Sequence, residues 1–396
     1  MAKLFIFCFV LLLIGCKQVS PINDSLPLLD VSKEYPIQEL DIHDIADVEY
    51  VALETNQESL LSRDCSFFSL SDQYIVAHSM KMGEVLFFDR SGKHLWTFCR
   101  RGAGGEEYHY IILLAVDFTA EECFISDGTD NLHVYSIKGE YKRTLHLDVG
   151  AYTKFTNLFD YNKDFLIGYN GFFGFDAKEG DNKNCYWLID KKNGSLHSID
   201  LITKRHISPR IYEEDITFSG GGYLAGFTLP TIPIVKNGSE ILIANYASDT
   251  LYHFVDNVLS PIAIRIPSVF SSDPPVIISP ILFTDSYLGF KVVSTKYDPA
   301  YPMKYYEEAP DLIWNRHTNE IQQWRMYDSN FSSKQNVNIP LTRVLSSNIS
   351  NYGMIWYPAQ NLLDRYSMGE LKGSLKEIAS RLKEDDNMVL VICRYK

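Results

Sequence analysis

The sequence predicts an all-β protein, a six-bladed β-propeller with four-stranded blades, one short C-terminal helix and a ring closed by its N- and C-terminal strands. Three observations support this prediction. Aromatic residues make up 13% of the 396 residues, and aromatic rings pack well on pleated sheets. A unit of four short apolar runs separated by turn residues recurs along the chain. Each chain end contains a strand-like segment, and pairing the two would remove the exposed edges of an open ring.

Residues 1–16 have the features of a bacterial secretory signal. Lys3 supplies a short positive region, and residues 4–14 form an apolar run too short to span a bilayer. The run ends in Gly15-Cys16, which resembles the lipobox of bacterial lipoproteins, where the cysteine is acylated and becomes the new N-terminus. We therefore expect lipid attachment at Cys16, and the alternative is an ordinary secretory signal with an incidental cysteine.

The remaining chain divides into a tether and a folded body. Residues 17–38 begin with polar residues and proline, which predicts a tether, and residues 39–396 contain the repeats. The expected location is the cell envelope, with the lipid in the outer membrane at its periplasmic face or at the cell surface. Acidic residues, which some Gram-negative lipoproteins use as a surface-export signal, do not directly follow Cys16, and this favours the periplasmic face.

Charge and cysteine usage restrict the partners and the chemistry. The formal net charge is -13 at pH 7, so nucleic acid and anionic lipid headgroups are poor partners. The cysteines beyond Cys16 are scattered without a CxxC pair, and we expect most of them to be small buried strand residues, with one disulfide left open as an alternative. They are Cys65, Cys99, Cys123, Cys185 and Cys393.

The repeats are clearest in the first half of the chain. Residues 48–53 alternate between two faces and predict an N-terminal strand. Unit one (about 65–100) and unit two (about 111–148) each contain four alternating apolar runs. These units predict the first two blades.

Later units are more degenerate. Units three, four and five occupy about 164–194, 233–266 and 282–324. The turns after the third strand lie about 47 to 63 residues apart, near positions 91, 138, 193, 256 and 318. Four strands in a basic period of about 40–50 residues indicate a β-propeller.

The sixth unit is incomplete and uses both chain ends. Residues 353–357 and 387–394 predict strands. Residues 371–382 predict a helix, because their apolar side chains recur at helical spacing. We expect the strand at 48–53 to complete this last blade beside the C-terminal strands.

Two segments carry a resemblance to a known group of propellers. Ile125–Tyr141 resembles an NHL-type repeat, and Phe98–Tyr108 resembles the segment that joins blades in that group, with Cys99 in place of its leading glycine. With the lipobox and the terminal strands, residues 40–396 are similar to six-bladed β-propeller lipoproteins of Gram-negative anaerobes. The resemblance implies the fold and the anchor, and little about activity, since that family is largely of unknown function.

Common catalytic and cofactor motifs are absent from the sequence. Residues 101–105 are glycine-rich but lack the Lys-Ser/Thr of a phosphate loop. Asp127, Asp130 and Asn131 lack EF-hand spacing, so we expect a hairpin turn there rather than a Ca²⁺ site. There is no HExxH or GxSxG. We predict no metal, no cofactor and no assigned catalytic residue.

Candidate ligand-binding residues lie in the joint after unit one and in two aromatic insertions, 169–176 and 297–308. Loops often carry binding surfaces, and exposed aromatic rings stack on sugars and peptides. The alternative is that these rings pack as lids over blade edges, and that the joint is purely structural. The candidates are Arg100, Arg101, Tyr108, Phe172, Phe173, Tyr301, Tyr305 and Tyr306.

These observations favour a membrane-anchored binding module for a glycan, a peptide or an envelope protein. The alternative is an enzyme, a polysaccharide lyase or glycoside hydrolase that works in the central funnel of the propeller. A carboxylate pair for glycoside hydrolysis is set in three dimensions and has no sequence spacing, so the sequence leaves enzymatic activity open. An architectural subunit of an envelope complex is a third reading.

Overall fold

The computed structural model describes most of the folded body and shows a six-bladed β-propeller, as the repeats predict. The described residues are 26–62, 65–147, 155–171, 184–201, 203, 206–207, 209–212, 226–334, 345–347 and 349–396.

Three strands and a short helix precede blade one. They are β1 (Leu28–Asp30), β2 (Ile37–Asp41), α1 (Ile42–Ile45) and β3 (Ala46–Ala52). Asp41 caps α1, because its carboxylate accepts a hydrogen bond from the backbone N–H of His43.

Blades one and two are regular antiparallel sheets in which each strand pairs with the next along the chain. Blade one contains β4 (Cys65–Leu70), β5 (Tyr74–Ser79), β6 (Glu84–Asp89) and β7 (His94–Cys99). Blade two contains β8 (Leu113–Asp117), β9 (Glu122–Ser126), β10 (Asn131–Ser136) and β11 (Tyr141–His146).

Blades three, four and five repeat this order with insertions. Blade three contains β12 (Asn157–Asp160), β13 (Phe165–Tyr169), β14 (Tyr186–Asp190) and β15 (Leu196–Ser198), and a hairpin of β16 (Arg210–Tyr212) and β17 (Gly226–Thr228) follows it. Blade four contains β18 (Ile234–Asn237), β19 (Glu240–Ile243), β20 (Thr250–Val255) and β21 (Val258–Ile266), followed by the 3-10 helix Val269–Ser271. Blade five contains β22 (Val276–Phe283), β23 (Tyr287–Ser294), α2 (Lys304–Glu307), β24 (Asp311–Asn315) and β25 (Ile321–Tyr327).

The C-terminal region departs from the regular pattern. Its elements are β26 (Leu345–Ser347), β27 (Tyr352–Tyr357), α3 (Ala359–Ser367), α4 (Gly373–Ala379) and β28 (Val389–Tyr395). The predicted C-terminal helix is present as α4, and α3 precedes it as a helix that the sequence analysis did not predict. β26 pairs in parallel with β4 of blade one rather than with β27.

The N-terminal strands lie along the outer sides of three consecutive blades. β3 pairs with β28, so the sixth sheet has the order β27-β28-β3 and combines both chain ends. β1 pairs in parallel with β21, and β2 pairs in parallel with β25. Residues 28–30 and 37–38, which the sequence analysis assigns to the tether, belong to these two strands. Short parallel strands with distant partners leave no local periodic signal, so the sequence did not reveal them.

The hydrophobic core consists of layers between neighbouring blades. One apolar cluster lies at each interface around the ring, including the interface of blade six with blade one. On β5, Ile75 and Ala77 face the layer shared with blade six, and Val76 faces the layer shared with blade two. Both faces of each sheet are therefore buried, which explains strands that read as nearly continuous apolar runs.

The turns predicted after the third strands of blades one and two dock on the preceding blade. Gly92 has φ +87° and Gly139 has φ +82°, a conformation that suits glycine. A Cβ at Gly92 would collide with the carbonyl oxygen of Ala52 on β3, and one at Gly139 would collide with Phe98 on β7. The recurring glycine signal thus records the close approach of successive blades.

The cysteines are mostly buried, as predicted. Cys65, Cys123, Cys185 and Cys393 are buried and Cys99 is exposed. Within the described part of the chain, none of these five forms a disulfide.

A buried carboxylate fastens the N-terminal segment to blades five and six. Asp328 follows β25 directly and is fully buried. Its Oδ2 accepts hydrogen bonds from the hydroxyls of Tyr50 on β3 (2.7 Å) and Tyr357 on β27 (3.0 Å). Its Oδ1 accepts one from the backbone N–H of Asn330 (2.9 Å) and lies 3.4 Å from Nε2 of His43 on α1. Burial and the Asp328 charge raise the pKa of both tyrosine hydroxyls, so both remain donors.

We expect Asp328→Asn to lower the free energy of unfolding by about 2–4 kcal/mol, because the amide NH2, a donor, would then face either the backbone N–H of Asn330 or the two tyrosine hydroxyls, and buried donors would lose their acceptor. Chemical denaturation measures the effect. Asp44→Asn, an exposed carboxylate on the adjacent α1, is the matched control and should change stability by less than about 1 kcal/mol. Equal losses in the two variants would contradict this account.

Candidate functional site

A cavity opens where the inner strands of blades two, three and four end. The first strands of blades one, two and three (β4, β8 and β12) lie side by side, as do those of blades four and five (β18 and β22). The inner strands of a propeller line its central channel, so their ends gather at its mouth. The cavity has a volume of about 300 Å³, and we call it the mouth cavity. It is lined by Asp117, Thr119, Ala120, Asp160, Tyr161, Asn162, Lys163, Lys236, Gly238 and Ser239.

The floor of the mouth cavity carries buried charges from three blades. Asp117 is the last residue of β8, Asp160 is the last residue of β12, and Lys236 lies one residue before the end of β18. All three side chains are buried. Inner strands are apolar along most of their length because both faces pack against neighbouring blades, so charged residues occur only where a strand reaches the mouth.

Lys191 joins the two carboxylates beneath the cavity. It lies in the turn after β14, and its Nζ is 2.6 Å from Oδ2 of Asp117 and 2.5 Å from Oδ1 of Asp160. The same ammonium donates to the carbonyl oxygen of Asn162 (2.6 Å). Three acceptors match the three donors of an ammonium group.

A second ion pair holds Lys191 in position. The guanidinium of Arg143 on β11 binds both carboxylate oxygens of Glu122 at 2.8 and 2.7 Å. It also donates to the carbonyl oxygen of Lys191 (2.7 Å). The backbone of Lys191 is thus fixed by blade two while its ammonium reaches the mouth.

Burial shifts the pKa values of two charged groups on the floor of the mouth cavity. It raises the pKa of Asp160, against the opposing charges of Lys236 and Lys191. It lowers the pKa of Lys236 to about 8, against the attraction of Asp160. Lys236 can therefore gain or lose its proton close to neutral pH, unlike an exposed lysine.

The rim of the cavity is polar and partly fixed by the C-terminal region. Thr119, Lys163 and Ser239 are exposed there. Beside the cavity, Asn351 donates its backbone N–H to Oδ1 of Asn237 (2.6 Å) and its side-chain amide to Asp285 (2.8 Å). This segment connects blade four with blade five beside the cavity.

The residues predicted at the joint of blades one and two lie together, away from the mouth cavity. Arg100 donates its backbone N–H to the hydroxyl of Tyr108 (3.0 Å) and its Nε to the carbonyl oxygen of Gly139 (2.6 Å). Tyr108 is fully buried, and Arg101 donates to the carbonyl oxygen of Lys81 (3.0 Å). These contacts give all three residues a structural role, and a role in ligand binding stays a prediction.

The predicted aromatic residues of blade five surround α2. Tyr301 is exposed, and its hydroxyl donates to Glu307. Nζ of Lys296 lies 5.4 Å from the ring centre of Tyr305, and Nζ of Lys291 lies 5.2 Å from that of Tyr306. None of the three lines the mouth cavity. Their role in binding stays a prediction, as does that of Phe172, Phe173 and Cys16, which lie outside the described residues.

The turn at Asp127 has the predicted hairpin geometry. Its Oδ1 accepts from the backbone N–H and the hydroxyl of Thr129 (3.2 and 2.6 Å), and Oδ2 is 3.2 Å from Nδ1 of His109. Among the described residues, no group of His, Cys, Asp and Glu could hold a metal ion. In that same part of the chain, no helix is long and apolar enough to cross a membrane.

The residues of the mouth cavity were not predicted from the sequence. A usable signal was present, since Asp117, Asp160 and Lys236 are each a charged residue at the end of an apolar inner-strand run, followed by a turn. No such signal in the sequence marks Lys191. It comes from a turn on the outer side of blade three and meets the others only through the packing of blades.

Comparisons with known proteins agree with the fold. The chain matches a sequence family described as a domain of unknown function (DUF4934) over residues 27–266. No curated protein matches. The crystal structure of a putative exported protein from Bacteroides fragilis NCTC 9343 is similar, with a TM-score of 0.62 and 13% identity over 93% of this chain and 99% of that one.

Two further structures have lower similarity. A member of the DUF4221 family from Bacteroides vulgatus ATCC 8482 has a TM-score of 0.48 and 10% identity, over 88% of this chain and 98% of that one. BamB from Moraxella catarrhalis has a TM-score of 0.39 and 11% identity, over 87% of this chain and 100% of that one. At 13% identity, the likeness to the exported protein indicates the fold alone.

We expect Lys191→Met to lower the free energy of unfolding by about 3–5 kcal/mol, because it leaves two buried carboxylates without their shared cation. Lys192→Met, at the exposed neighbouring position, should stay within about 0.5 kcal/mol of the wild type. Chemical denaturation of both variants measures the difference. A Lys191→Met protein as stable as Lys192→Met would show that the double ion pair does not stabilise the ring.

Proposed function

We propose that this chain, which belongs to the DUF4934 family of domains of unknown function, is a lipid-anchored propeller of the cell envelope that binds a partner at its mouth cavity. The partner is a glycan, a peptide or an envelope protein. The mouth cavity carries the proposal, because buried charged groups from three blades converge there on one concave site. Concave sites with a few convergent polar groups are where proteins bind small ligands.

The proposed anchor places one edge of the propeller near a membrane. Residues 1–16 are the proposed signal, with the lipid on Cys16. The tether predicted over residues 17–38 is proposed to end at residue 27, because β1 and β2 pair with strands of the propeller. The propeller predicted over residues 39–396 then begins at Leu28. The chain between Cys16 and β1 spans at most about 40 Å when extended. A lipid on Cys16 would hold the outer edge of blade four, where β1 pairs with β21, within that distance. The fold likeness to a protein described as exported agrees with an envelope location.

An enzyme in the channel, either a polysaccharide lyase or a glycoside hydrolase, has weaker support. Glycoside hydrolysis needs two carboxyl groups that can exchange protons or bonds with the substrate. Asp117 and Asp160 are instead both held by Nζ of Lys191. Among the described residues that line the mouth cavity, there is no histidine or arginine to act in their place.

The binding proposal is tested with purified protein on a panel of envelope glycans and peptides. We expect retention of one ligand class without new reducing ends or unsaturated products. Ser239→Trp, which places a large ring on the exposed rim, should weaken binding at least about tenfold, since 1.4 kcal/mol of lost contact is a factor of ten. Ser380→Trp, at an exposed position after α4, is the control and should bind like the wild type.

The same panel separates the mouth cavity from the other candidate surfaces. If Ser239→Trp bound normally while Tyr305→Ala lost binding, the site would lie at the blade-five insertion instead. Product formation that Ser239→Trp abolished would support the enzymatic alternative.

The anchor has its own test. We expect Cys16→Ala to move the protein from the membrane fraction to the soluble periplasmic fraction, because the acyl chains supply the membrane affinity. Cys99→Ala, which removes an exposed thiol of the folded body, should leave the protein in the membrane fraction. Membrane retention of Cys16→Ala would remove the lipid anchor from the proposal and leave the binding site unaffected.

A further inference from the structure

An amine and two carboxyl groups lie within reacting distance on the buried floor of the mouth cavity. The side chains of Lys191, Asp117 and Asp160 are only 5%, 4% and 7% exposed. Nζ of Lys191 is 2.6 Å from Oδ2 of Asp117. Since a carbon–oxygen bond adds about 1.2 Å, the same nitrogen is at most about 3.8 Å from the carboxyl carbon of Asp117. Atoms held about 3–3.5 Å apart in a fixed orientation react far faster than the same groups free in water.

The two carboxyl groups differ in their surroundings. Oδ1 of Asp117 accepts hydrogen bonds from the backbone N–H groups of Thr119 and Ala120, both at 2.9 Å. Two N–H groups aimed at one oxygen stabilise the negative charge that forms on it when a nucleophile attacks the carbon. Oδ1 of Asp160 is 2.5 Å from Nζ of Lys191. Burial raises the pKa of Asp160, so it takes up a proton more readily than an exposed aspartate.

We propose that Lys191 and Asp117 form an intramolecular isopeptide bond, an amide that joins Nζ of the lysine to the carboxyl carbon of the aspartate. The ammonium and the carboxylate together lose one water, so the reaction needs no oxidant, cofactor or other reactant. The bond that breaks is the one between the carboxyl carbon and Oδ2 of Asp117.

Asp160 carries the protons of this reaction. It takes one proton from the ammonium of Lys191 and passes it to Oδ2 of Asp117, which leaves a neutral amine beside a carboxylic acid. The amine attacks the carboxyl carbon, and the backbone N–H groups of Thr119 and Ala120 hold the negative charge on Oδ1. A second proton follows the same route, Oδ2 departs as water, and the amide keeps one N–H. Asp160 ends in the protonation state in which it began.

Burial favours the amide over the ion pair. Two charges held away from water carry a desolvation cost that their attraction offsets only in part, and the reaction replaces them with one neutral group. The surroundings of the amine include an apolar ring, since Nζ of Lys191 lies 5.9 Å from the ring centre of the fully buried Phe124. The charge of Lys236 continues to attract Asp160 after the ammonium of Lys191 has been consumed.

The bond joins blade two to blade three. Asp117 is the last residue of β8, and Lys191 follows the last residue of β14. A covalent link between them closes a loop over residues 117–191 and restricts the unfolded chain as a disulfide does. Unlike a disulfide, it is not broken by reducing agents. The bond forms without a ligand, so it is independent of what the mouth cavity binds.

Peptide mapping of the purified wild-type protein tests the bond. Trypsin should release residues 102–138, which contain Asp117, and residues 184–192, which contain Lys191, as one branched peptide that is lighter than the two separate peptides by one water. Fragmentation should place the link at these two residues. Separate peptides, with cleavage after Lys191, would overturn the inference. A branch to residues 155–163, which contain Asp160, would overturn the assignment of Asp117 as the acceptor.

Variants assign the roles, with intact masses compared after allowance for each substitution. The wild type and Lys192→Met, which changes the exposed neighbour, should each be lighter by one water than Lys191→Met and Asp117→Ala, which lack the amine or the acceptor. In newly synthesised protein sampled over time, Asp160→Ala should form the bond at least about a hundredfold more slowly, since a positioned proton carrier contributes about 10²–10⁴-fold.

An Asp160→Ala protein that forms the bond at the wild-type rate would remove Asp160 from the reaction. A Lys191→Met protein that still lacks one water would show that the loss occurs elsewhere and would overturn the inference. Circular dichroism checks that each variant is folded. If a variant does not fold, the peptide map of the wild type decides.

Discussion

The burial of both faces of every sheet is the constraint on which this structure depends. Each blade packs against two neighbours, so residues on successive positions of one strand enter different hydrophobic layers, as Ile75 and Val76 do. Burial at roughly 25 cal/mol per Å² of apolar surface makes these layers the main favourable term in folding. Burial on both faces also disfavours charged residues along the strands. Charged groups collect where the layers end, and for the inner strands this place is the channel mouth.

The mouth cavity shows what such a position does to ionisable groups. Asp117, Asp160, Lys191 and Lys236 come from blades two, three and four and lie in an environment that disfavours charge. Buried ion pairs need complete pairing to offset the loss of hydration. Lys191 reaches this state with three acceptors, whereas Lys236 has its pKa lowered by burial. The same surroundings therefore hold Lys191 between two carboxylates and lower the pKa of Lys236.

The sequence predicted the elements that follow local rules and missed those that depend on distant parts of the chain. Hairpins with a glycine turn, such as the one at Gly92, have a local signal in the sequence. Apolar and polar residues alternate along the strands, and a glycine occupies the turn position with a left-handed backbone. β3, the N-terminal strand of blade six, was predicted because a closed ring requires a partner for the C-terminal strands. β1 and β2 could not be found in this way, because their partners are parallel and lie in other blades.

The residues of the candidate site also divide into those with a local signal in the sequence and those without one. Asp160 and Lys236 are visible as charges that end apolar runs, although periodicity alone did not single them out. Lys191 lies beside a second lysine in a turn, and nothing local distinguishes the buried Lys191 from the exposed Lys192. Which of the two enters the interior is decided by the register of β14 and by Arg143, which holds the Lys191 carbonyl. Such choices arise from packing across blades, where sequence patterns carry no information.

The wrapping of the N-terminal segment around blades four, five and six sets an order of assembly. Leu28 pairs with Ile264, Ile37 with Gln323, and Ala46 with Tyr395, so the first part of the chain to be synthesised obtains its partners last. These partners lie between positions 264 and 395 of the 396 residues, and pairings between such distant residues form slowly. The leading segment can therefore join the ring only after strands of blades four, five and six have been made.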